Sequence, residues 1–554
     1  MLDSAKFLGR LSAGCVAFAT ADFLSWPAII FLVPLAIVGC GRHEGSPADT
    51  SSQLVRRSVG SEPSSLDPQQ VGDTFSFEVL RDLFEGLTAE SATGETVPGT
   101  ADNWSVSEGG KRYRFHLRPD ARWSNGTPVE AGDFVRGLRR AVDPATRSPN
   151  ASLLALVLGA PDVVGGRAPP DTLGVRAIDP RTLEIDLSAP APYFPAILSN
   201  PIAYPRLPAP PGPPGDPPPS RLASNGAYQL VKWVPGGGVT LERNRYYWDA
   251  NNVAIPRVEF VAIADSNTEL SRYRAGQIDL TSFVPAQQLE TLKRERPSEL
   301  QIRAQLAVVY YAFNLTRPML RDGSGLREAM SLAIDRERLV ESVLKGGQLP
   351  AFGFVPPGIG NYEGASYHWR NDTPALRIQH ARAVFHAAGF SEQRPLHLKL
   401  LCPEDDTLRR VALAVTAMWH EVLGIEAAPV FLEYRAFLAA REQRTEWDVI
   451  SHGWNADYPD PGDFLGIFTS ASPQNDARLA DQEFDRLMAA AAGEADGEKR
   501  LALLAHAERR LLDDYVVAPI YYAVSRRLVS PRLEGAVLSP MNHNYTKYLS
   551  LRRQ

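Results

Sequence analysis

A single hydrophobic core stops growing at roughly 250–300 residues, and this chain runs to 554. It must therefore divide into two or three lobes, each with a core of its own. The composition suits lobes that face water, with 44% hydrophobic and 22% charged residues, both ordinary for a globular protein. Basic and acidic residues number 58 and 64, a net charge of -6, and no Lys/Arg block stands out. That balance disfavours a phosphate-backbone partner, so no nucleic acid is expected.

Three cysteines are present, Cys15, Cys40 and Cys402. Only Cys402 lies in the expected folded body, which can therefore hold no internal disulfide, and a body of this size has core enough without one. Cys402 closes the run His397-Leu398-Lys399-Leu400-Leu401-Cys402, which alternates like a strand. With no nucleophile motif beside it, it reads as a buried, inert thiol.

Near the N-terminus, Arg10 precedes an apolar, small-residue stretch that ends Ile37-Val38-Gly39-Cys40 before the polar Gly41-Arg42-His43-Glu44-Gly45. A short apolar region closed by small residues is a secretory signal. The Cys directly after it resembles the lipobox of bacterial lipoproteins, which implies cleavage before Cys40 and acylation of its thiol. The alternative is an uncleaved anchor, since residues 13–39 together could cross a bilayer. Asp22 and Ser25 interrupt that stretch, and Pro27 and Pro34 follow.

Residues 41–53 are small and polar, as a tether is. From Leu54 onward strand-like and helical patterns alternate. Leu54–Val59 and Arg112–Leu117 read as strands, Asn125-Gly126-Thr127-Pro128 as a turn, and Ala131–Val142 as an amphipathic helix. Asp73–Leu87 carries Phe77, Leu80, Leu83 and Phe84 at helical spacing. Further helices are expected at Leu326–Leu344, Pro374–Ala388, Thr407–Leu423 and, unbroken, Phe484–Leu512. Leu207–Ser220 is proline-dense and can hold neither a helix nor an interior strand, so a surface loop in polyproline II is expected. No internal repeat is visible, and the mixture points to α/β lobes.

No catalytic constellation emerges. The chain has no Gly-x-Ser-x-Gly elbow, no His-Glu-x-x-His, no phosphate loop and no Gly-x-Gly-x-x-Gly after a strand. Its ten histidines are scattered without paired metal-ligand spacing. Neither an enzyme, a metal nor a cofactor is expected.

What does emerge is a series of segments in order. Gly60-Ser61-Glu62-Pro63-Ser64-Ser65-Leu66-Asp67-Pro68 and Arg81-Asp82-Leu83-Phe84-Glu85-Gly86-Leu87 open it. Phe115-His116-Leu117-Arg118, Trp123-Ser124-Asn125-Gly126-Thr127-Pro128 and Asp133-Phe134-Val135 follow. Ser224-Asn225-Gly226-Ala227-Tyr228, Tyr247-Trp248-Asp249 and Tyr273-Arg274-Ala275-Gly276 come next. Gly453-Trp454-Asn455-Ala456-Asp457-Tyr458 and Pro519-Ile520-Tyr521-Tyr522 close it. From about residue 54 to 548 the series resembles the family 5 bacterial solute-binding proteins, whose best-known members bind oligopeptides.

The resemblance implies an α/β fold of the periplasmic-binding-protein type II kind, two lobes around a hinge plus a third lobe. Lobe I would be discontinuous, from residues 54–84, 207–306 and 525–554, with lobe II at 85–206 and lobe III at 307–524. The implied function is capture of a peptide outside the cytoplasmic membrane and delivery to an ABC permease with cytoplasmic ATPases. The protein would be a monomer, held to the membrane by lipid on Cys40.

The resemblance also implies a site. Asp457 falls where peptide-binding members place the carboxylate that pairs with the ligand α-amino group, a charge-assisted contact. An Asp in an Ala-Asp-Tyr-Pro-Asp-Pro run could equally cap a turn. Gly453 and Asn455 match the segment whose backbone takes the peptide as an added strand, and Thr74 matches the opposing segment. Trp454 and Tyr434 match pocket walls, with core packing as the alternative. Arg441 is the surviving match among basic residues for a ligand carboxylate. Ser451, Leu408 and Leu344 stand where oligopeptide binders carry others, and Lys345 lies one place beyond a lost lysine. Asn150 and Ala523 replace tyrosines, and Asn455 and Ala307 replace a cysteine pair. An amino-terminal anchor kept beside a remodelled carboxylate end is the expectation. The competing solutes are a murein peptide, a nickel chelate, an opine or a sugar; an extracytoplasmic hydrolase or a chaperone is the reading from another class.

Overall fold

A computed structural model describes residues 53–208, 222–234, 236–391, 395–443 and 446–552. Cys40 with its lipobox, and residues 209–220 of the proline-dense run, lie outside the described residues. Among the described residues no helix is long and apolar enough to cross a membrane.

Three larger sheets organise the chain. In the first, Leu54–Val59 pairs in parallel with Arg257–Ala262, and Gly238–Arg243 and Tyr228–Val234 extend the sheet antiparallel. The strand read at Leu54–Val59 has these bounds, and it carries an arginine inside: Arg57 is fully buried and paired with Glu78 at 3.0 Å. A buried guanidinium needs such a partner, because an unpaired buried charge is very costly.

The second sheet is antiparallel, in the order Ala101–Ser107, Arg112–Leu117, Thr182–Asp186, Val175–Asp179. Alternation along Arg112–Leu117 sends Tyr113, Phe115 and Leu117 into the core, as period 2 requires. Ala131–Val142 is helical as expected and buries Phe134, Leu138, Ala141 and Val142. Its start is fixed by a capping box between Glu130 and Asp133, whose carboxylate also accepts from Trp123 Nε1 at 2.9 Å.

The third sheet has six strands in the order Leu349–Pro350, Val517–Leu528, Leu300–Phe313, Val449–Asn455, His397–Pro403, Glu426–Leu432. Both of its faces are covered. Tyr311, Phe313, Leu400 and Cys402 enter one apolar cluster, while Tyr310, Ala312, Leu401 and Ile450 enter another. A strand buried on both faces reads as a continuous apolar run, which Ala-Val-Val-Tyr-Tyr-Ala-Phe at 307–313 does. Cys402 is buried, and burial pushes its thiol up to about 12, which makes it inert.

The mixed α/β class is as expected, but three helices differ from the sequence reading. The first spans Thr74–Leu83 and stops before Leu87. Gly86 packs so closely on the Leu198 carbonyl that a Cβ there would collide with it, and the chain turns away into a short strand, Thr88–Glu90. The expected Leu326–Leu344 helix is broken: Ser324–Leu332 ends, Asp335 caps a new turn, and Leu339–Leu344 is wound as a π-helix. The expected Phe484–Leu512 helix is two, Gln482–Gly493 and Gly497–Asp513. Asp496 stops the run because its carboxylate accepts from the amides of Glu498 and Lys499, starting a fresh helix. Pro374–Ala387 and Asp406–Leu423 lie where helices were expected, the latter capped by Asp405.

Candidate functional site

The Val449–Asn455 strand has two neighbours at its start and one at its end. His397–Pro403 pairs with it only at Leu400–Val449 and Leu401–Ile450. Leu300–Phe313 follows it throughout, with Ala307 opposite Asn455, Val308 opposite Trp454 and Val309 opposite Gly453. The amide of Ala456 donates to the Leu306 carbonyl at 2.8 Å. Backbone groups in a strand point alternately to its two edges, so those of Trp454 and His452 also face Leu300–Phe313. Those of Gly453 and Asn455 face the other edge, where the neighbouring strand has ended. Gly453 is exposed, and a Cβ on it would meet only Val308 O at 3.5 Å and Val309 Cγ2 at 3.7 Å.

Two residues beyond that edge the chain turns through Asp457. The turn is held by Asp463, one of whose oxygens accepts from Trp454 Nε1 at 2.9 Å and from the Asp457 amide at 3.1 Å. Asp457 is exposed on one side, while protein packed on its other sides raises its carboxyl above the usual range. Asp463 is buried and held well above that range, first by burial and then by the charge of Asp457. Among the described residues no salt bridge is made by either.

The next acidic residue is placed differently. Asp460 caps the short helix Pro461–Leu465 and is gripped by both prongs of Arg500, each at 2.7 Å. The Arg500 guanidinium also lies 5.1 Å from the Tyr193 ring centroid. Tyr193 in turn stacks on Tyr458, with ring centroids 4.8 Å apart and planes within 5°. Tyr193 belongs to the segment after Thr182–Asp186, and Tyr458 packs against the core of the first two sheets. This stack therefore ties the turn bearing Asp457 to the second sheet. Clefts open on either side of it, one lined by Trp104, Tyr113, Pro190 and Pro459, the other by Thr469, Asp485, Met488 and Arg500.

Of the residues singled out in the sequence, Gly453, Trp454, Asn455 and Asp457 stand together on this strand and turn. Tyr434, 60% exposed, opens the helix Tyr434–Glu442 and stacks on Phe437, which reaches His452 of the same strand. Arg441 is buried and already partnered, by Asp476 and by Gln474 Oε1 at 2.9 Å. Asp476 also accepts from His452 Nδ1 at 2.6 Å. Burial alone would raise the Asp476 carboxyl, but His452 and Arg441 hold it below the usual range.

Thr74 lies apart, exposed at the first turn of its helix. Ser451 and Leu344 are buried, whereas Lys345 is exposed. Asn150 donates to the Val71 carbonyl at 2.9 Å. Ala307 and Asn455 directly face one another across the ladder, as two positions matched to a cysteine pair must.

Sequence reasoning missed Asp463, Tyr193, Arg500 and Asp476. Asp463 sits in the helix Pro461–Leu465, too short for a periodicity to mark it, and the others come from segments 24 to 307 positions away from residues they touch.

The model of bacterial extracellular solute-binding proteins, family 5 Middle, matches residues 95–476. Periplasmic oligopeptide-binding protein OppA of Escherichia coli (strain K12) is 36% identical over 501 residues, 89% of this chain and 92% of its own. Probable deoxycholate-binding periplasmic protein YgiS of the same organism is 34% identical over 514 residues, 91% and 95% of the two chains. Among solved structures, the periplasmic murein tripeptide-binding protein MppA in its unliganded open form superposes with a TM-score of 0.82 at 33% identity, covering 90% of this chain and 97% of that one.

Proposed function

This chain belongs to the bacterial extracellular solute-binding proteins of family 5, and from that premise we propose that it captures peptides outside the cytoplasmic membrane and hands them to an ABC importer. The observation that carries this reading is the open edge of the Val449–Asn455 strand with Asp457 at its end. A peptide laid along that edge gains backbone hydrogen bonds whatever its side chains. Its α-ammonium then meets a carboxylate that makes no salt bridge among the described residues.

The chain works as three lobes, with residues 54–84, 207–306 and 525–554 as the first, 85–206 as the second and 307–524 as the third. Gly453 and Asn455 supply the strand edge, Thr74 belongs to the opposing segment that closure would bring to it, and Trp454 and Tyr434 wall the side-chain pockets. Arg441 is committed to Asp476, so the ligand carboxylate is held weakly and chain length is loosely policed. Lipid on Cys40 tethers a monomer beside a permease and its ATPases, and the protein binds its solute without transforming it. The name of OppA supports the peptide. A murein peptide is the second reading, favoured by the 0.82 superposition on MppA. A bile acid, the solute in the name of YgiS, carries no amino group for Asp457.

Mass spectrometry of ligand released from the purified protein tests this. Peptides with free amino ends are expected, of mixed length for the first reading and muropeptide composition for the second. Recovery of a bile acid, or failure of any member of a diverse peptide library to bind, sinks the peptide reading.

A further inference from the structure

Asp463 is 7% exposed, yet it touches both ends of the proposed anchor. Its Oδ2 accepts from the Trp454 indole and from the amide of Asp457. It thereby fixes the wall of the site relative to the carboxylate that meets the ligand. The charged and titratable groups around it come from four directions. Asp457 and Tyr458 lie on the segment after the strand, and Asp460 is on its own turn. Tyr193 comes from the segment before Phe194–Ile197, and Arg500 from the helix Gly497–Asp513. The one cation among these, Arg500, has both prongs on Asp460. Two neighbouring carboxylates without a cation cannot both ionise cheaply in a protein environment.

We propose that Asp463 is the positioning partner of the Asp457 anchor and carries the proton that the site gives up when a ligand ammonium arrives. The inference rests on the reading that Asp457 takes the peptide amino group. In the empty site the pair holds one proton. A peptide ammonium settling against Asp457 supplies the missing positive charge, so Asp463 can ionise and its proton leaves to solvent. One cation enters and one proton departs. Burial and the charge of Asp457 already raise the Asp463 carboxyl well above the usual carboxylate range, the direction such an exchange requires. A group whose pKa falls on binding releases protons between its bound and free values. Affinity therefore rises with pH through that window and levels off above it.

The test is calorimetry near pH 6 in buffers of different ionisation enthalpy. The probe is the tightest binder from a library of free-amino tripeptides to pentapeptides without ionisable side chains. Its own α-amino group, with a usual pKa of about 7.7–8.0, stays protonated there. Wild type should release a sizeable fraction of a proton, and its affinity should climb with pH by up to about tenfold per unit, the limit for one proton. Asp463→Asn keeps an oxygen for both hydrogen bonds and should bind with no release and a flat pH profile. Equal release in both proteins overturns the proposal. So does zero release in wild type, which needs no variant to be read. If no peptide binds wild type, or if N-acetylation leaves affinity unchanged, the reading of Asp457 has failed first and this inference falls with it.

Discussion

A peptide ammonium lowered into a closing cleft loses its water and must find an anion or stay outside. In the proposed site Asp457 would meet that requirement at the end of the open strand edge, and it makes no salt bridge among the described residues. Once the cleft shuts, the pair is shielded. Removing one partner of a buried pair costs roughly 3–5 kcal/mol, against about 0–1 for an exposed one. Asp457→Ala should therefore weaken peptide binding by roughly two to three decades, at about 1.4 kcal/mol per decade. Folding should be untouched, because the contact that shapes the turn is the backbone amide of Asp457, which alanine retains. N-acetylated peptides should bind wild type as poorly as free peptides bind the variant. Amidation of the carboxyl end should matter far less, since Arg441 already faces Asp476. Equal losses on acetylation and amidation, measured by calorimetry on one ligand, would show that the site still grips a carboxylate.

At the scale of elements, the strand edge should contribute affinity without regard to ligand sequence. Each peptide hydrogen bond to Gly453 or Asn455 is worth about 0.5–1.5 kcal/mol net. N-methylation of a ligand amide that pairs with this edge should cost about threefold to tenfold in Kd, at about 1.4 kcal/mol per decade. Methylating the next amide, which points away, should cost little. A scan in which every position responds alike would argue against an added strand. The strand itself was legible in the sequence only through the family resemblance. Val-Ile-Ser-His-Gly-Trp-Asn neither alternates nor runs wholly apolar, because its first half is buried between two strands and its second half faces an opening. The helices that were read correctly, Ala131–Val142 and Pro374–Ala387, have an N-cap or an apolar stripe to mark them. Those read too long failed where local chemistry overrode the period, at Gly86, Asp335 and Asp496. Asp457 could be picked out only through the family resemblance, since an Asp in its Ala-Asp-Tyr-Pro-Asp-Pro run could equally cap a turn. Its support, Asp463, could not, since a carboxylate that binds one indole and one amide leaves no periodic trace.

For the molecule as a whole, the proposed three-lobe reading requires that separate bodies approach and part on binding. The chain superposes well on the unliganded open form of MppA, and its second sheet already touches the Asp457 turn through the Tyr193–Tyr458 stack. That stack sits beside the anchor and leaves the strand edge open, so it can act as a pivot while the remaining faces close by hinge motion. Aromatic pairs of this kind are worth about 0.5–1.5 kcal/mol beyond their buried area, enough to narrow the spread of open forms from which closure starts. A ligand that binds only the folded, closing form must stabilise the protein through linkage, by about 2.7 kcal/mol at a hundredfold excess over its Kd. Peptide should therefore raise the melting temperature by a few degrees and shrink the radius of gyration seen by small-angle X-ray scattering. Tyr193→Ala should weaken the closing step and so lower affinity several-fold, although Tyr193 lies outside the proposed ligand contacts. The scattering should then show a wider spread of open forms in the free protein. A ligand that raises the melting temperature with no contraction, in wild type and variant alike, would mean that peptide binds to a rigid groove and that the stack is ordinary packing.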